Sequence, residues 1–396
     1  MKSDYVLLYK YLVVILAAFI MLNSNGCQQE VVEEPVLEPV FYPPPPNQPR
    51  MQFLTSYSGG ENFDIAKPSA LELFVLGESE EPVGTIVNPY GLGIHKGKIY
   101  VCDTGQGNIK VMDLVSKTFT VFSAGRSLSS PTNIFIEPDG TKYIADPKVG
   151  AVVVYNADDK LVHFLGKNLG IEPVDLVVRG NWLYLTDAKS NQVLVLDKRS
   201  GKLLQSIGEG VEDETLLDTD KFFRITDLDL DSEGDVYVND MMKSRVTRFN
   251  SDGEFVRFYG QSGTSPGSLV RAKGIALDRE NRIWVVDAGP ACAVKIFRER
   301  DGQFLMYFGT LGNSPGQMYL PATVVIDYEN VDLFREYAVE GAELEFIVLV
   351  TNQYGDQKVS VYGFGSFPEH YSMQALETES APAKEEGVED KSEVVE

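Results

Sequence analysis

Six short apolar runs of the chain each end in a carboxylate or its amide, followed by a turn that contains glycine or serine. Such a carboxylate could act as a general base or a metal ligand, but a reactive site needs one unique environment. Because this position recurs along the chain, we predict a shared structural task, in which the side chain accepts backbone N–H bonds in the turn. The six predicted turn caps are Asp103, Asp146, Asp187, Asp240, Asp287 and Asn352.

A second set of positions differs from one unit to the next and is the stronger candidate for chemistry. Each unit has an apolar run before the one that ends in the turn cap, and these positions lie near the start of that earlier run. Three consecutive units carry oxygen donors there, Asn133, Asp175 and Asp227. Hard oxygen ligands of this kind suit Ca²⁺ or Mg²⁺, so we predict a possible divalent-cation site. The alternative is that these side chains hydrogen-bond to neighbouring loops or to water. The corresponding positions in the other units are Gly91, Gly274 and Thr323.

The elements that position these residues repeat along the chain. Each unit has four short runs rich in Val, Ile, Tyr, Phe and Trp, separated by turn sequences such as "EPDGTK" and "NSDGEF". These compositions are typical of β-strands and hairpins. Six units of four strands, spaced by roughly 40 to 65 residues, predict an all-β propeller.

The repeats also carry a family resemblance. "NPYGLGIHKGKIYVCDTGQGNIKVMD" and "RAKGIALDRENRIWVVDAGPACAVKIF" resemble NHL repeats. The resemblance covers roughly residues 88–365 and implies a six-bladed β-propeller with four antiparallel strands in each blade. It does not imply one activity, because this fold carries both binding modules and enzymes. Related six-bladed hydrolases and lactonases hold a divalent cation in a comparable channel position.

The ring must be closed by a strand from outside the repeats. "MQFLTSYSGG" (residues 51–60) and "LELFVLG" (residues 71–77) both read as outer strands, and the sequence leaves the choice between them open. Residues 327–346 form an insertion in the sixth repeat, where "NVDLFREYA" predicts a short helix. The insertion could build a binding surface or only cover the channel mouth.

The two ends of the chain predict an exported, tethered protein. Residues 1–26 read as a signal peptide, because the apolar run from Tyr11 to Leu22 is shorter than the roughly 20 residues that span a bilayer. Gly26 followed by Cys27 resembles the lipobox of bacterial lipoproteins, which implies lipidation at Cys27 and, with Gln28 next, an outer-membrane location. We predict a Pro-rich tether over 27–50, a propeller over 51–365 and an acidic disordered tail over 366–396.

Composition narrows the choice of partners. The net charge of −23, from 58 acidic against 35 basic residues, disfavours nucleic acid and favours cationic partners. Cys102 and Cys292 are predicted to be buried free thiols. His95, His163 and His370 fall on separate elements, and no nucleophile or phosphate-loop motif is present. The sequence therefore favours a non-enzymatic binding scaffold for unidentified envelope proteins, including basic or redox proteins. The alternative is a cation-dependent hydrolase or lactonase.

Overall fold

The computed structural model describes residues 38–63, 84–123, 127–211 and 221–372. Within these residues, 25 strands form six sheets. In chain order, the strands that precede the second blade are β1 (Phe41–Tyr42), β2 (Met51–Tyr57), β3 (Pro89–His95), β4 (Lys98–Asp103), β5 (Asn108–Asp113) and β6 (Thr118–Val121).

The next three blades follow one another along the chain, and each is a complete four-stranded sheet. Blade two consists of β7 (Asn133–Ile136), β8 (Lys142–Asp146), β9 (Ala151–Tyr155) and β10 (Leu161–Leu165). Blade three consists of β11 (Pro173–Arg179), β12 (Trp182–Asp187), β13 (Gln192–Asp197) and β14 (Leu203–Ile207). Blade four consists of β15 (Ile225–Leu230), β16 (Val236–Asp240), β17 (Arg245–Phe249) and β18 (Phe255–Tyr259).

The remaining strands complete the ring. Blade five consists of β19 (Ala272–Leu277), β20 (Arg282–Asp287), β21 (Ala293–Arg298) and β22 (Phe304–Phe308). Blade six contributes β23 (Pro321–Asp327), β24 (Glu343–Asn352) and β25 (Val359–Ser366). In the described part of the chain, three short 3₁₀ helices connect strands, at Gly60–Asn62, Lys167–Leu169 and Val331–Tyr337. The prediction of an all-β, six-bladed propeller with four antiparallel strands per blade is confirmed.

The N-terminal strand β2 closes the ring. It pairs antiparallel with β25 in blade six, with Met51 opposite Phe364 and Tyr57 opposite Val359. β1 then pairs with β2 as a fifth strand. The first of the two candidate closing strands therefore completes blade six, while "LELFVLG" lies outside the described residues. The Pro-rich segment contacts the propeller here, since the Tyr42 hydroxyl donates to the Gly316 carbonyl at 2.7 Å.

The apolar core lies between the blades and not inside any one of them. Six clusters of buried apolar side chains are found among the described residues, and each joins two adjacent blades. Second strands such as β4 and β12 are therefore buried on both faces, which explains their unbroken apolar runs. Trp284 of β20 is fully buried between blades five and six, and its indole N–H donates to Asp278 at 2.8 Å.

The antiparallel order of each blade defines two faces. The start of the inner strand and the turn between the second and third strands lie on one face, which we call the top face. The turns between the first and second strands and between the third and fourth strands lie on the opposite, bottom face. The sixth-repeat insertion lies on the bottom face, where the Gly97 N–H donates to Asn330 Oδ1 at 2.8 Å.

Candidate functional site in the central channel

The six inner strands, β3, β7, β11, β15, β19 and β23, surround a channel that holds a cavity of about 270 Å³. All six strands contribute to its lining. Most of the wall is apolar, from residues such as Ile94, Phe135 and Val325. The polar part is confined largely to the inner strands of blades two, three, four and six, where the predicted oxygen donors lie.

The structure brings Asn133, Asp175 and Asp227 together. The Asn133 amide nitrogen donates to Asp175 Oδ1, and the carboxyl groups of Asp175 and Asp227 share a hydrogen bond. The Thr323 hydroxyl lies 3.4 Å from Asp227 Oδ2. Residues from blades two, three, four and six therefore meet at one level of the channel.

Glycine occupies the equivalent position in blades one and five for a steric reason. A Cβ atom at Gly91 would lie 2.6 Å from the Thr132 carbonyl oxygen, and one at Gly274 would lie 2.7 Å from the Ala322 carbonyl oxygen. The Gly91 N–H instead donates to that Thr132 oxygen at 2.8 Å. These two inner strands thus approach their neighbours too closely to carry a side chain.

The channel carboxylates, which we define as Asp175, Asp227 and Asp229, also bind the backbone of the neighbouring blade. Asp175 Oδ2 accepts from the Leu228 N–H at 2.8 Å, and Asp229 Oδ2 accepts from the Leu277 N–H at 2.7 Å. An inner strand has no sheet partner on its channel edge, so its N–H groups need another acceptor. The carboxylates therefore tie blade three to blade four and blade four to blade five.

Burial changes the protonation of these groups. The pKa of Asp227 is raised well above its usual range, first by burial and then by the negative charge of Asp175. Burial also raises the pKa of Asp175, and it raises that of Asp229 to about 7. Two carboxylates this close cannot both ionise easily. Asp227, whose pKa burial and the charge of Asp175 raise well above its usual range, is therefore the partner that favours the protonated form and donates to Asp175.

A basic and aromatic layer lies next to the channel carboxylates. The Lys273 amine is 4.9 Å from the centre of the Tyr90 ring and donates to Gln353 Oε1. Burial, and then the charge of Arg271, lowers the pKa of Lys273 to about 7. The pKa of Tyr90 is raised by burial and by the charges of Asp227 and Asp175. Sequence reasoning missed Asp229 and Tyr90.

The predicted turn caps form a second, separate system, which we call the turn carboxylates. Asp103 accepts from the Val87 N–H at 2.8 Å, the Asn88 N–H at 3.0 Å and the Gly105 N–H at 3.0 Å. It joins the turn after β4 to the segment before the inner strand of the same blade. The same links recur at Asp146, Asp187, Asp240 and Asp287, and Asn352 accepts from the Tyr319 N–H.

Other predicted features fall elsewhere. Cys102 and Cys292 are buried free thiols, as predicted. In the insertion, Val331 and Phe334 are buried in a 3₁₀ helix, whose repeat of three fits their spacing. Cys27 lies outside the described residues. Over the described part of the chain, no helix is long and apolar enough to cross a membrane. The same part contains no cluster of three or more His, Cys, Asp or Glu side chains suited to a metal.

Comparison with known proteins identifies the fold. No known family model matches the chain, and no curated protein matches it. Among solved structures, a protein of unknown function from Bacteroides thetaiotaomicron has a TM-score of 0.52 at 12% identity, covering 80% of this chain and 75% of its own. The calcium-binding protein regucalcin from Agrobacterium tumefaciens has a TM-score of 0.51 at 14% identity, covering 73% of this chain and 94% of its own.

A third similar structure is a catalytically inactive variant of virginiamycin B lyase from Staphylococcus aureus. It has a TM-score of 0.48 at 12% identity, and the match covers 70% of this chain and 96% of the lyase. At sequence identities this low, structural similarity indicates a shared fold but not a shared chemistry. The chain is a six-bladed β-propeller.

Proposed function

We propose that this protein is a lipid-anchored propeller of the NHL-repeat type that acts as a binding scaffold in a bacterial cell envelope. Cys27 carries the lipid after removal of residues 1–26, and residues 27–50 connect it to the propeller. The anchor holds the protein at the outer membrane. Its partners are other envelope proteins, and basic proteins, including redox proteins, suit the net charge of −23.

One observation carries the scaffold proposal: the polar groups of the channel are used to hold the blades together. Asp175 binds the Leu228 N–H of the next blade, and Asp229 binds the Leu277 N–H of the blade after that. Threonine hydroxyls add further ties, since Thr226 donates to the Lys273 carbonyl at 2.8 Å and Thr351 to the Tyr90 carbonyl at 2.6 Å. These hydrogen bonds between blades make the ring rigid. A rigid ring holds the loops on its top and bottom faces in fixed positions.

The anchor is tested by changing Cys27→Ala and fractionating the cells that produce the protein. We expect the variant to leave the membrane fraction, because it lacks the sulfur that carries the lipid. Gln28→Ala is the matched control, since it changes the neighbouring residue and keeps the cysteine. If the Cys27→Ala protein stays in the membrane fraction, the anchor assignment is wrong.

The scaffold role is tested by cross-linking the full-length protein in its native envelope and purifying it under denaturing conditions. We expect one or a few envelope proteins in stoichiometric amounts. The Cys27→Ala variant is the control, because a protein displaced from the membrane loses partners that depend on the anchor. Recovery of the propeller alone, at cross-linking yields that capture known envelope pairs, argues against a scaffold.

A second candidate function is that of a divalent-cation-dependent hydrolase or lactonase. It is favoured by the convergence of Asn133, Asp175, Asp227 and Thr323 beside the channel cavity. Two carboxylates, one amide and one hydroxyl suit Ca²⁺ or Mg²⁺. The Asn133 amide would have to turn its oxygen inward, because its nitrogen now donates to Asp175.

The cation hypothesis is tested by thermal melting with and without Ca²⁺ or Mg²⁺. A cation at 100 times its dissociation constant stabilises the folded state by about 2.7 kcal/mol. We expect that gain in the wild type and its loss in Asp227→Asn, which removes one ligand charge. The absence of any shift in the wild type would exclude a cation site in the channel.

A further inference from the structure

A groove of about 610 Å³ crosses the top face over blades four, five and six. It is built from the turn after β16, the segment before β19, the turn after β20, and the connection from β22 to β23. Its lining includes Met241, Met242, Val270, Arg271, Leu311 and Tyr319.

The groove wall leaves large apolar side chains in water. Leu311 is 52% exposed, Met242 49% and Tyr319 43%. Tyr354, which is 58% exposed, packs its ring 5.8 Å from that of Tyr319 and extends the same surface. Contiguous exposed apolar surface of this kind usually marks a binding site.

The segments that form the groove are held in place by the turn carboxylates. The Arg271 N–H donates to Asp287 Oδ1 at 2.8 Å, and the Tyr319 N–H donates to Asn352 Oδ1 at 3.2 Å. Leu320 adopts φ = 53° at the end of the connection. A bulky residue in the left-handed region is an outlier that persists only when its surroundings enforce it. The groove is therefore preformed, which lowers the entropy lost on binding.

Positive charge is concentrated at the channel side of this groove. Arg271 lines the groove, and the charges of Arg224 and Arg271 both act on the Tyr90 phenol, which lies beside Lys273. Among the described residues, no ion pair involves Arg224, Arg271 or Lys273. In a chain of net charge −23, the two arginines Arg224 and Arg271, which lack carboxylate partners in this part of the structure, form a local anion-attracting site.

We propose that this groove binds an acidic segment of a partner protein that carries a large apolar side chain. The apolar side chain packs between Met242, Leu311 and Tyr319, and a neighbouring carboxylate contacts Arg271 and Arg224. The groove is open to solvent along one side, so its occupant can remain part of a larger folded body, as a protein loop does. This inference rests on the proposed scaffold function and specifies where the partner binds and by which chemistry.

The test begins with a random-peptide display library selected on the full-length wild-type protein. We expect enriched peptides to combine an aromatic or large aliphatic residue with at least one Asp or Glu. The best peptide is then synthesised, and its Kd is measured by calorimetry on the wild type and on three variants. An enriched set that is basic, or no enriched set at all, overturns the proposal.

Arg271→Glu and Met242→Glu are the informative variants, because both side chains are exposed and neither change removes a core contact. We expect each to weaken binding at least tenfold, which corresponds to about 1.4 kcal/mol. Arg300→Glu is the matched control, since its side chain is 74% exposed in the turn between β21 and β22, on the bottom face. We expect its Kd to stay within twofold of the wild type.

Two results would remove the groove as the binding site. Wild-type affinity in both Arg271→Glu and Met242→Glu would place the peptide elsewhere. Self-association of the wild type that Met242→Glu abolishes would assign the groove to a second copy of this chain. The two proposals fail separately: native partners that still cross-link to Arg271→Glu leave the scaffold standing and reject the groove, whereas an absence of partners in the wild type rejects the scaffold.

Discussion

The turn carboxylates and the channel carboxylates are the same chemical group used in two different ways. Asp103 accepts four backbone N–H groups, all from the two segments of blade one that it joins. Asp175 and Asp227 come from different blades and contact each other as well as the backbone. The first arrangement can repeat around the ring without interference, whereas the second brings like charges together.

The turn carboxylates can recur in every blade, whereas the channel carboxylates repel one another. A turn carboxylate exchanges hydration for N–H donors within its own blade, so every blade can contain one. The channel carboxylates converge on the axis, where burial and mutual repulsion raise the pKa of Asp227 and Asp229. The channel set therefore couples the stability of the ring to pH. Four experiments test this contrast, from the largest expected effect to the smallest.

The largest effect is expected for Asp287→Ala. Asp287 binds the Lys295 amine at 2.8 Å inside the protein as well as the Arg271 N–H. Removing one partner of a buried ion pair costs about 3–5 kcal/mol, because the other charge stays buried. Urea unfolding measures the loss. Asp301→Ala, at an exposed ion pair with Arg298, is the control and should change the free energy of unfolding far less, because solvent screens an exposed pair.

A smaller loss is expected for Asp175→Asn in the channel. Asp175 accepts from the Asn133 amide, the Leu228 N–H and the Asp227 carboxyl. An asparagine would turn a donor toward one of these donors, which should cost about 2–3 kcal/mol in the free energy of unfolding. If this variant loses more than Asp287→Ala in the same urea experiment, the turn carboxylates are not the stronger structural element.

The free energy of unfolding should fall as the pH rises toward 7 and rise again above pH 7, which gives the pH profile a falling limb and a rising limb. The folded-state pKa of Asp229 is raised to about 7. In the unfolded chain this carboxyl group has its ordinary pKa of about 4. Between about pH 4 and 7 the folded state therefore binds more protons than the unfolded state, and the free energy of unfolding falls as the pH rises. The pKa of Lys273 is lowered to about 7, so the unfolded chain binds more protons between pH 7 and about 10.5, and the stability rises again there.

Single variants assign the two limbs. Asp229→Asn should make the falling limb shallower by up to about 1.4 kcal/mol per pH unit, the slope for one proton. Some slope should remain, because burial also raises the pKa of Asp175 and Asp227. Lys273→Met should flatten the rising limb. Unchanged limbs in urea titrations from pH 4 to 10 would show that these two groups do not control the profile.

The smallest effect is expected for Asp227→Asn. An asparagine amide can donate to Asp175 as the protonated Asp227 does, and its oxygen can still accept from the Thr323 hydroxyl. The free energy of unfolding at pH 7 should therefore change by less than about 1 kcal/mol. Asp175→Asn is the matched comparison, because it is the same substitution at the partner carboxyl group. Equal losses in the two variants would mean that Asp227 is not the protonated partner.

The sequence predicted most of the fold because the fold is encoded locally. The blades were predicted from runs rich in β-branched and aromatic residues and from the hairpin turns between them. The turn carboxylates were distinguished from the candidate site because they recur in every repeat. A helix in the insertion was also predicted, and it is a 3₁₀ helix at Val331–Tyr337. The pairing of β1 with β2 was missed, because a two-residue edge strand leaves almost no pattern.

The candidate site was only partly predictable. Asn133, Asp175 and Asp227 were found because they depart from the repeat. Asp229 could have been found as well, since it lies two residues after Asp227 and shares its strand face. Tyr90 gave no such signal, because its contact with Lys273 joins blades one and five. Cation binding in the channel remains a prediction.

The sequence by itself determined the strands, their turns and the number of blades, since alternation, β-propensity and turn residues act over a few neighbouring positions. Only the tertiary structure decided which strand closes the ring, which channel carboxylate holds a proton, and that Met242, Arg271 and Leu311 share one groove. Closure, the Asp175–Asp227 contact and the groove each join segments far apart in the chain. The distances between these groups, and the low dielectric around them, arise only when the six blades assemble around the axis.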